Sequence, residues 1–250
     1  MQRFVLRIPY TEYNLLKERT IKMKMSIKKI TTLAMLAAIA YVVMVFIRIP
    51  LMPAAPYLSY DPKDIFFVIA AFLVGPLEGF IVVVLVCLIE MVTVSTTGPI
   101  GLLMNVIASL CFVMPAALIY KYKKTTLNAI IALAAGVLGM TGSMILWNYL
   151  ITPWYNNMPR EAIVPMLPTI FLPFNLVKAG INMALTLVIY KPISIILHKS
   201  GLLDERQGKV KSDKEVSEKK TSEFSPVPII VGFVILAVCV AAILLFKTQA

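Results

Sequence analysis

The sequence contains few charged residues for its length. Aspartate, glutamate, lysine and arginine make up 15% of its 250 residues, and hydrophobic residues make up 59%. Soluble domains carry about 25% charged and about 45–50% apolar residues. The apolar runs are long and do not alternate with polar residues, as the strands of a membrane β-barrel do. We therefore predict an all-α integral membrane protein, because helices satisfy their own backbone hydrogen bonds inside a bilayer.

Several catalytic and nucleotide-binding motifs are absent from the sequence. It has no GxxxxGK[ST] loop, which excludes nucleotide binding of the Walker type, and it has no HExxH or GxSxG motif. The three cysteines, Cys87, Cys111 and Cys239, lie within apolar runs and form no CxxC pair. We therefore expect no disulfide, metal site, cofactor or enzymatic activity. The energy for any active transport would come from partner chains or from an ion gradient.

Seven apolar segments divide the chain into predicted membrane spans. They cover about residues 30–47, 65–74 and 79–94, a fourth span from the 95–101 turn to about 120, and then 128–151, 168–196 and 227–246. The first six spans form one predicted membrane domain over 25–203. Residues 1–24 form an N-terminal extension, which we interpret as a dispensable leader or an over-long start. A charged flexible linker at 204–226 leads to an additional C-terminal transmembrane helix and tail at 227–250.

The positive charges lie between the apolar segments, which gives the chain a predicted orientation. The formal net charge is +11, and most of the 24 lysines and arginines lie in residues 1–29, 121–124 and 191–220. Cationic loops remain on the cytoplasmic side of a cell membrane. We therefore predict a multi-pass protein of the cell membrane with a cytoplasmic N-terminus, and we expect no nucleic-acid partner.

The sixth span carries a polar stripe that includes a lysine. Asn175, Lys178, Asn182 and Thr186 fall within about 80° of one another on a helix. A lysine at the centre of a bilayer costs about 2.5–3.5 kcal/mol on insertion scales. One interpretation is a structural polar contact between helices. We favour a substrate pocket or ion path, because intramembrane ionisable groups usually serve function.

The loop over residues 50–64 contains four prolines and therefore does not form a regular helix. We interpret it as a lid or pocket wall rather than as a simple connector. Under the predicted orientation it lies on the outer side, as do Asn148 at the end of the fifth span and Asn175 at the start of the sixth. This convergence predicts a pocket that opens outward.

Two further pairs of residues carry hypotheses from their spacing alone. Glu90 in the third span requires a partner, and Lys178 is the only cation predicted to lie deep in a span, so we expect a Glu90–Lys178 link. Ala34 and Ala38 form a small-xxx-small pair in the first span. That pair predicts either close approach by a partner helix or packing within the bundle itself.

Several stretches together resemble the riboflavin-specific substrate-binding subunit, or S component, of energy-coupling factor (ECF) transporters. They are the alanine-rich first span, Pro56–Ile65, Gly75–Gly79, Thr97–Gly101 with Asn105, and Pro173–Asn175 with Lys178. The resemblance covers about residues 25–203. It implies a six-helix bundle, here with one extra helix, that captures riboflavin outside the cell. It also implies docking on a membrane coupling subunit that is driven by two ATPase subunits.

The resemblance also implies roles for particular residues. Asn148, Asn175 and Lys178 match the flavin contacts of the family, Ala34 and Ala38 match its docking surface, and the first loop matches its lid. Asparagine offers both a donor and an acceptor, which suits the imide edge of a flavin. The remaining candidates for the substrate site are Tyr57, Leu58, Ser59, Tyr60, Asp61, Asp64, Thr97, Asn105 and Trp147. Alternatives are an S component for a different vitamin, or an ion-coupled secondary carrier that uses Glu90 and Lys178.

Overall fold

A computed structural model describes residues 27–52, 58–95, 97–155, 157–202 and 226–248. The described helices are α1 (Ile27–Phe46), α2 (Lys63–Leu73), α3 (Pro76–Thr93), α4 (Gly98–Tyr122), α5 (Thr126–Leu150), the short α6 (Thr152–Tyr155) and α7 (Arg160–Ile163), α8 (Leu172–Lys199) and α9 (Val227–Thr248). A π-helical turn, Leu167–Phe171, leads into α8. The short strands β1 (Ile49–Pro50) and β2 (Ser59–Tyr60) pair antiparallel in the first loop.

The prediction of an all-α membrane protein is confirmed. Six helical segments of the described chain are long and apolar enough to cross a bilayer, namely α1, α3, α4, α5, the continuous 160–199 segment and α9. The predicted second span differs from the others. It is α2, which has 11 residues and is therefore about 16 Å long, roughly half the thickness of a hydrocarbon core.

Helix α2 forms the centre of the bundle. All of its residues are buried, and it packs against α1, α3, α4 and α8. The helix begins at Lys63 rather than at the expected Ile65, so that Lys63 and Asp64 lie inside the protein. Because α2 is short, the end of the first loop has to reach into the interior to meet it. The structure therefore brings loop residues next to the long helices at depth.

Helices α4 and α5 approach each other closely over two glycines. A Cβ atom on Gly136 would clash with the carbonyl oxygen of Phe112, and one on Gly139 would clash with the carbonyl oxygen of Cys111. Because glycine has only a hydrogen atom as its side chain, the two backbones can come into contact. Small residues support helix association in membranes in this way. This contact fixes α5, and with it Asn148, relative to α4.

Helix α9 packs antiparallel against α8. A Cβ on Gly232 would lie 2.8 Å from the carbonyl oxygen of Ala184, and one on Gly180 would lie 2.9 Å from Sγ of Cys239. The C-terminal half of α9 packs in an apolar cluster with α8 and with Leu51 of the first loop. No extensive contact joins α9 to α1 within the described residues. In the described part of the chain, the additional helix therefore covers α8 and not α1.

Substitution of Gly136 by alanine should destabilise the protein. Overpacking in a tight interface costs about 1–3 kcal/mol, and the methyl group has no space beside Phe112. Gly142→Ala is a matched control on the same helix, because a Cβ there meets nothing within 4 Å. We expect Gly136→Ala to lower the melting temperature in detergent and Gly142→Ala to leave it unchanged or raise it. Equal melting temperatures would contradict the close contact.

Candidate functional site

A cavity of about 190 Å³ lies at the end of the bundle that carries the first loop. Residues of the loop, α3, α4, α5 and α8 contribute to its wall. It is lined by Arg48, Leu58, Ser59, Asp61, Glu90, Ser95, Thr97, Met104, Asn105, Ala108, Met140, Met144, Asn148, Phe174, Asn175 and Lys178. The wall combines amide, hydroxyl and charged groups with methionine and phenylalanine surface, a composition typical of small-molecule sites.

Lys178 is held by a carboxylate from the first loop. Its Nζ donates a hydrogen bond to Oδ2 of Asp61 at 3.1 Å, and both side chains are about nine-tenths buried. Burial alone would raise the pKa of the Asp61 carboxyl, but the charges of Lys178 and Lys63 outweigh it and hold that pKa below its ordinary value. The loop is therefore attached to α8 by a charged contact at the cavity.

A second buried lysine continues this arrangement. Nζ of Lys63 lies 3.3 Å from Oδ1 of Asp61, close enough for an ion pair, although the geometry is not that of a hydrogen bond. The same Nζ donates to Oε2 of Glu90 at 2.8 Å, and Arg48 donates to Oε1 of Glu90 at 2.8 Å. The charges alternate in sign from Arg48 through Glu90, Lys63 and Asp61 to Lys178. We call these five residues the ion-pair chain.

The expected direct link between Glu90 and Lys178 is wrong. Glu90 pairs with Lys63 and Arg48, whereas Lys178 pairs with Asp61. The expectation failed because the second span was expected to begin at Ile65, which placed Lys63 in the first loop and left Lys178 as the only cation within a span. Lys63 is only 1% exposed and begins α2. Glu90 and Lys178 are therefore connected only indirectly, through Lys63 and Asp61.

The polar stripe of α8 divides into two parts. Asn175 and Lys178 line the cavity. Asn182 instead donates to Oδ2 of Asp64 at 3.0 Å and accepts from the hydroxyl of Tyr60 at 3.1 Å, while Thr186 donates to the carbonyl oxygen of Asn182 at 2.6 Å. Asn182 and Thr186 thus make structural contacts within the protein, whereas Asn175 and Lys178 face the cavity.

Asp64 and Tyr60 lie behind the cavity rather than on its wall. Asp64 accepts a hydrogen bond of 2.6 Å from Ser109 of α4 as well as the bond from Asn182. Tyr60 is 5% exposed and packs in the apolar cluster with Phe174. Both were expected to be substrate contacts, and the structure instead gives them buried partners within the protein.

Asn148 and Asn175 are oriented by their own helices. Nδ2 of Asn148 donates to the carbonyl oxygen of Met144, and Nδ2 of Asn175 donates to that of Phe171, each at 2.7 Å. The Phe171 carbonyl belongs to the π-helical turn, where α-helical pairing is interrupted. No described residue donates a hydrogen bond to Oδ1 of Asn175, which leaves an acceptor at the cavity wall. π-helical turns of this kind often occur at functional sites.

The other predicted site residues are divided between the cavity and its surroundings. Leu58, Ser59, Thr97 and Asn105 line the cavity. Trp147 packs against the helical core instead, because one residue along a helix turns a side chain by about 100° away from Asn148. Tyr57 lies outside the described residues.

Sequence reasoning missed several residues of the wall. Arg48 and the methionines Met104, Met140 and Met144 were not predicted. A signal for two of them was present, since Met140, Met144 and Asn148 are spaced four residues apart and so share one face of α5. Arg48 gave no local signal, because its role depends on the distant Glu90.

The two alanines of α1 are on the outside of the bundle. Ala34 and Ala38 are exposed, whereas Ala37 and Ala40 are buried between α1 and its neighbours. The pair is therefore not used for packing within the described part of this chain. Among the described residues, nothing covers this surface of small side chains on α1.

Comparisons with known proteins indicate what this arrangement is similar to. The profile of the family "ECF transporter, substrate-specific component" matches residues 28–194. The riboflavin transporter RibU of Staphylococcus aureus is 28% identical over 178 residues, which are 69% of this chain and 93% of that protein. The riboflavin transporter FmnP of Bacillus subtilis is 29% identical over 163 residues, 62% of this chain and 85% of that protein.

A solved structure shares the fold. A chain described under "Structure and mechanism of the S component of a bacterial ECF transporter" superposes with a TM-score of 0.58 and 31% identity. The match covers 68% of this chain and 97% of that chain. The family match ends at residue 194, so α9 lies beyond it.

Removal of one charge from the ion-pair chain should be costly. Glu90→Gln leaves the buried Lys63 without its closest anion, and breaking a buried ion pair costs roughly 3–5 kcal/mol. We expect a large fall in melting temperature in detergent. Adding Lys63→Met should recover much of the loss, because the double variant no longer buries an unpaired amine. Glu78→Gln on the same helix is the control. If the effects of Glu90→Gln and Lys63→Met on stability were simply additive, the proposed coupling between these two residues would be contradicted.

Proposed function

This chain belongs to the substrate-specific components of ECF transporters, and from that membership we propose that it captures riboflavin outside the cell for uptake. The observation that carries the proposal is the meeting of Asn148, Asn175 and Lys178 at one cavity. The relatives from S. aureus and B. subtilis are named riboflavin transporters.

The hydrogen-bonding groups of the cavity suit the polar edge of a flavin. The imide edge offers one N–H and two carbonyl oxygens. Oδ1 of Asn175 accepts, and the ammonium of Lys178 has three N–H groups, of which one is used on Asp61. The remaining N–H groups of Lys178 are donors for the ligand. The polar groups that remain unpaired without a fitting ligand give such a site its selectivity.

The charge balance of the site favours an uncharged ligand. In the ion-pair chain, Arg48, Lys63 and Lys178 carry three positive charges, and Asp61 and Glu90 carry two negative ones. All except Arg48 are buried. A phosphorylated flavin is a dianion and exceeds the single excess positive charge of the ion-pair chain, in which Lys178 already pairs with Asp61. Riboflavin itself is uncharged and requires none.

The apolar part of the wall suits the flat ring system. Met140 and Met144 from α5 and Phe174 from α8 present carbon and sulfur surface to the cavity. Methionine adapts its shape to an aromatic ligand and contacts rings favourably. The first loop, which contributes Leu58 and Ser59, closes the cavity on one side and is proposed as the lid.

The distribution of positive charges supports one orientation of the protein in the membrane. We infer a cytoplasmic N-terminus from the clusters of lysine and arginine at residues 1–29, 121–124 and 191–220. The first loop and the cavity then face the outside of the cell. Uptake would proceed by docking of α1 on a membrane coupling subunit that is driven by two ATPase subunits.

An ion-coupled carrier is not supported by the site. Such a carrier would require Glu90 or Lys178 to change partners during transport. Each is held by a partner in the ion-pair chain, and Glu90 contacts two cations at 2.8 Å.

Substitutions at the cavity should weaken riboflavin binding. We expect Asn175→Ala and Lys178→Met to raise the Kd by about 10–100-fold, equivalent to losing about 1.4–3 kcal/mol of hydrogen bonding. The measurement is quenching of flavin fluorescence on titration into the purified protein. Asn128→Ala removes an amide at the opposite end of α5 and should leave the Kd unchanged. Unaltered affinity in both cavity variants, or tighter binding of thiamin or biotin than of riboflavin, would contradict the proposal.

Substitutions on the open face of α1 should separate binding from transport. Ala34→Leu and Ala38→Leu add bulk where a partner helix would approach, so we expect riboflavin binding to persist and cellular uptake to be lost. Ala237→Leu on α9 makes the same change at another exposed alanine, and uptake should persist there. Normal uptake by the two α1 variants would show that this face is not a docking surface.

A further inference from the structure

Asn148 is held at both ends of its side-chain amide. Its Nδ2 donates to the carbonyl oxygen of Met144 at 2.7 Å, and its Oδ1 accepts a hydrogen bond from the hydroxyl of Thr152 at 2.9 Å. Asn175 differs, because its Nδ2 donates to Phe171 while no described residue donates to its Oδ1. The two asparagines of the cavity are therefore fixed to different degrees, and the difference is the hydroxyl of Thr152.

The hydroxyl of Thr152 does not make the bond that other helical threonines of this protein make. A threonine within a helix can donate to the backbone carbonyl four residues earlier. The described threonines that do so are Thr31, Thr32, Thr93, Thr169 and Thr186. Thr152 donates instead to the side chain of the residue four positions earlier. Its hydroxyl therefore orients a side chain of the cavity wall.

The backbone places Thr152 one turn beyond Asn148. Helical hydrogen bonding continues past the end of α5, since the amide of Ile151 donates to the carbonyl oxygen of Trp147 at 2.8 Å and the amide of Tyr155 donates to that of Ile151 at 2.9 Å. Residues four apart in a helical segment lie on the same side. The short α6 therefore begins where its first residue can reach the side chain of Asn148.

The two hydrogen bonds also assign the two ends of the amide. The carbonyl of Met144 can only accept, so the nitrogen of Asn148 faces it and the oxygen faces Thr152. One N–H and one lone pair of the amide remain for a ligand, and each has a fixed direction. Ligand binding then does not have to order this side chain, which reduces the entropic cost of binding.

We propose that Thr152 is a positioning residue for riboflavin, which acts by fixing the amide of Asn148 at the cavity wall. This role rests on the proposed function of the chain. Asn148 lines the cavity and Thr152 does not, so the effect of Thr152 on the ligand passes through Asn148. Without the hydroxyl, the amide keeps only its bond to Met144 and can rotate away from the direction that the ligand requires.

The test compares two substitutions of Thr152 in the full chain. Thr152→Val keeps the shape of the side chain without its hydroxyl, and it should raise the Kd for riboflavin by about 3–10-fold, as expected for one neutral hydrogen bond. Thr152→Ser keeps the hydroxyl and should bind like the unmodified chain. Thr31→Val is the matched control, because it removes a hydroxyl that bonds to the backbone of α1. An unchanged Kd in Thr152→Val would overturn the proposal.

A double variant separates positioning from a general effect on the fold. In the Asn148→Ala background, Thr152→Val should raise the Kd no further, because no amide remains to be oriented. A rise by the same factor in that background would show that Thr152 acts independently of Asn148, and the proposal would be refuted.

A measurement without ligand distinguishes this proposal from the proposed function. In protein that carries isotope-labelled asparagine, the side-chain amide resonances of Asn148 are identified by their loss in Asn148→Ala. They should shift in Thr152→Val and keep their positions in Thr152→Ser. That pattern in a protein that binds no riboflavin would refute the vitamin, while the fixing of Asn148 by Thr152 would stand. Unchanged resonances in Thr152→Val would overturn the role of Thr152.

Discussion

The amine of Lys63 is the charge that the rest of the site has to accommodate. It is only 1% exposed at the start of a helix in the centre of the bundle. A buried charge is tolerated only with close partners, and here Glu90 and Asp61 supply them from α3 and from the first loop. Because Asp61 also holds Lys178 and Glu90 also holds Arg48, compensation of one amine joins four separate parts of the chain. The position of the first loop at the cavity follows from this requirement.

The architecture was largely predictable because hydropathy is a local property. Each long helix is a continuous run of mainly apolar residues, and such a run is visible in the sequence without knowledge of distant contacts. Helix α9 was recognised in the same way. Asn175 and Lys178 were recognised because an amide and an amine stand out against apolar neighbours. Their place near Asn148 was also expected, because counting how often the chain crosses the membrane puts all three residues toward the same side, and all three line one cavity.

The parts that escaped prediction depend on distant contacts. Lys63 and Asp64 look like ordinary polar residues ahead of an apolar run, and only Glu90, Asn182 and Ser109 explain why they lie inside. Arg48 is similarly explained by Glu90 alone. Trp147 was expected at the site as an aromatic surface for the ligand, but residues that are neighbours in a helix, such as Trp147 and Asn148, point in different directions.

The π-helical turn at Leu167–Phe171 carries one residue more than an α-helical turn would need. The extra residue determines how far the segment before the turn is rotated about the helix axis relative to α8. Deleting one residue from the turn would restore regular pairing only by rotating one side relative to the other by about 100°. Natural insertions and deletions should therefore accumulate ahead of the turn and be rare between it and Lys178, so that chain length in this short interval is itself a determinant of function.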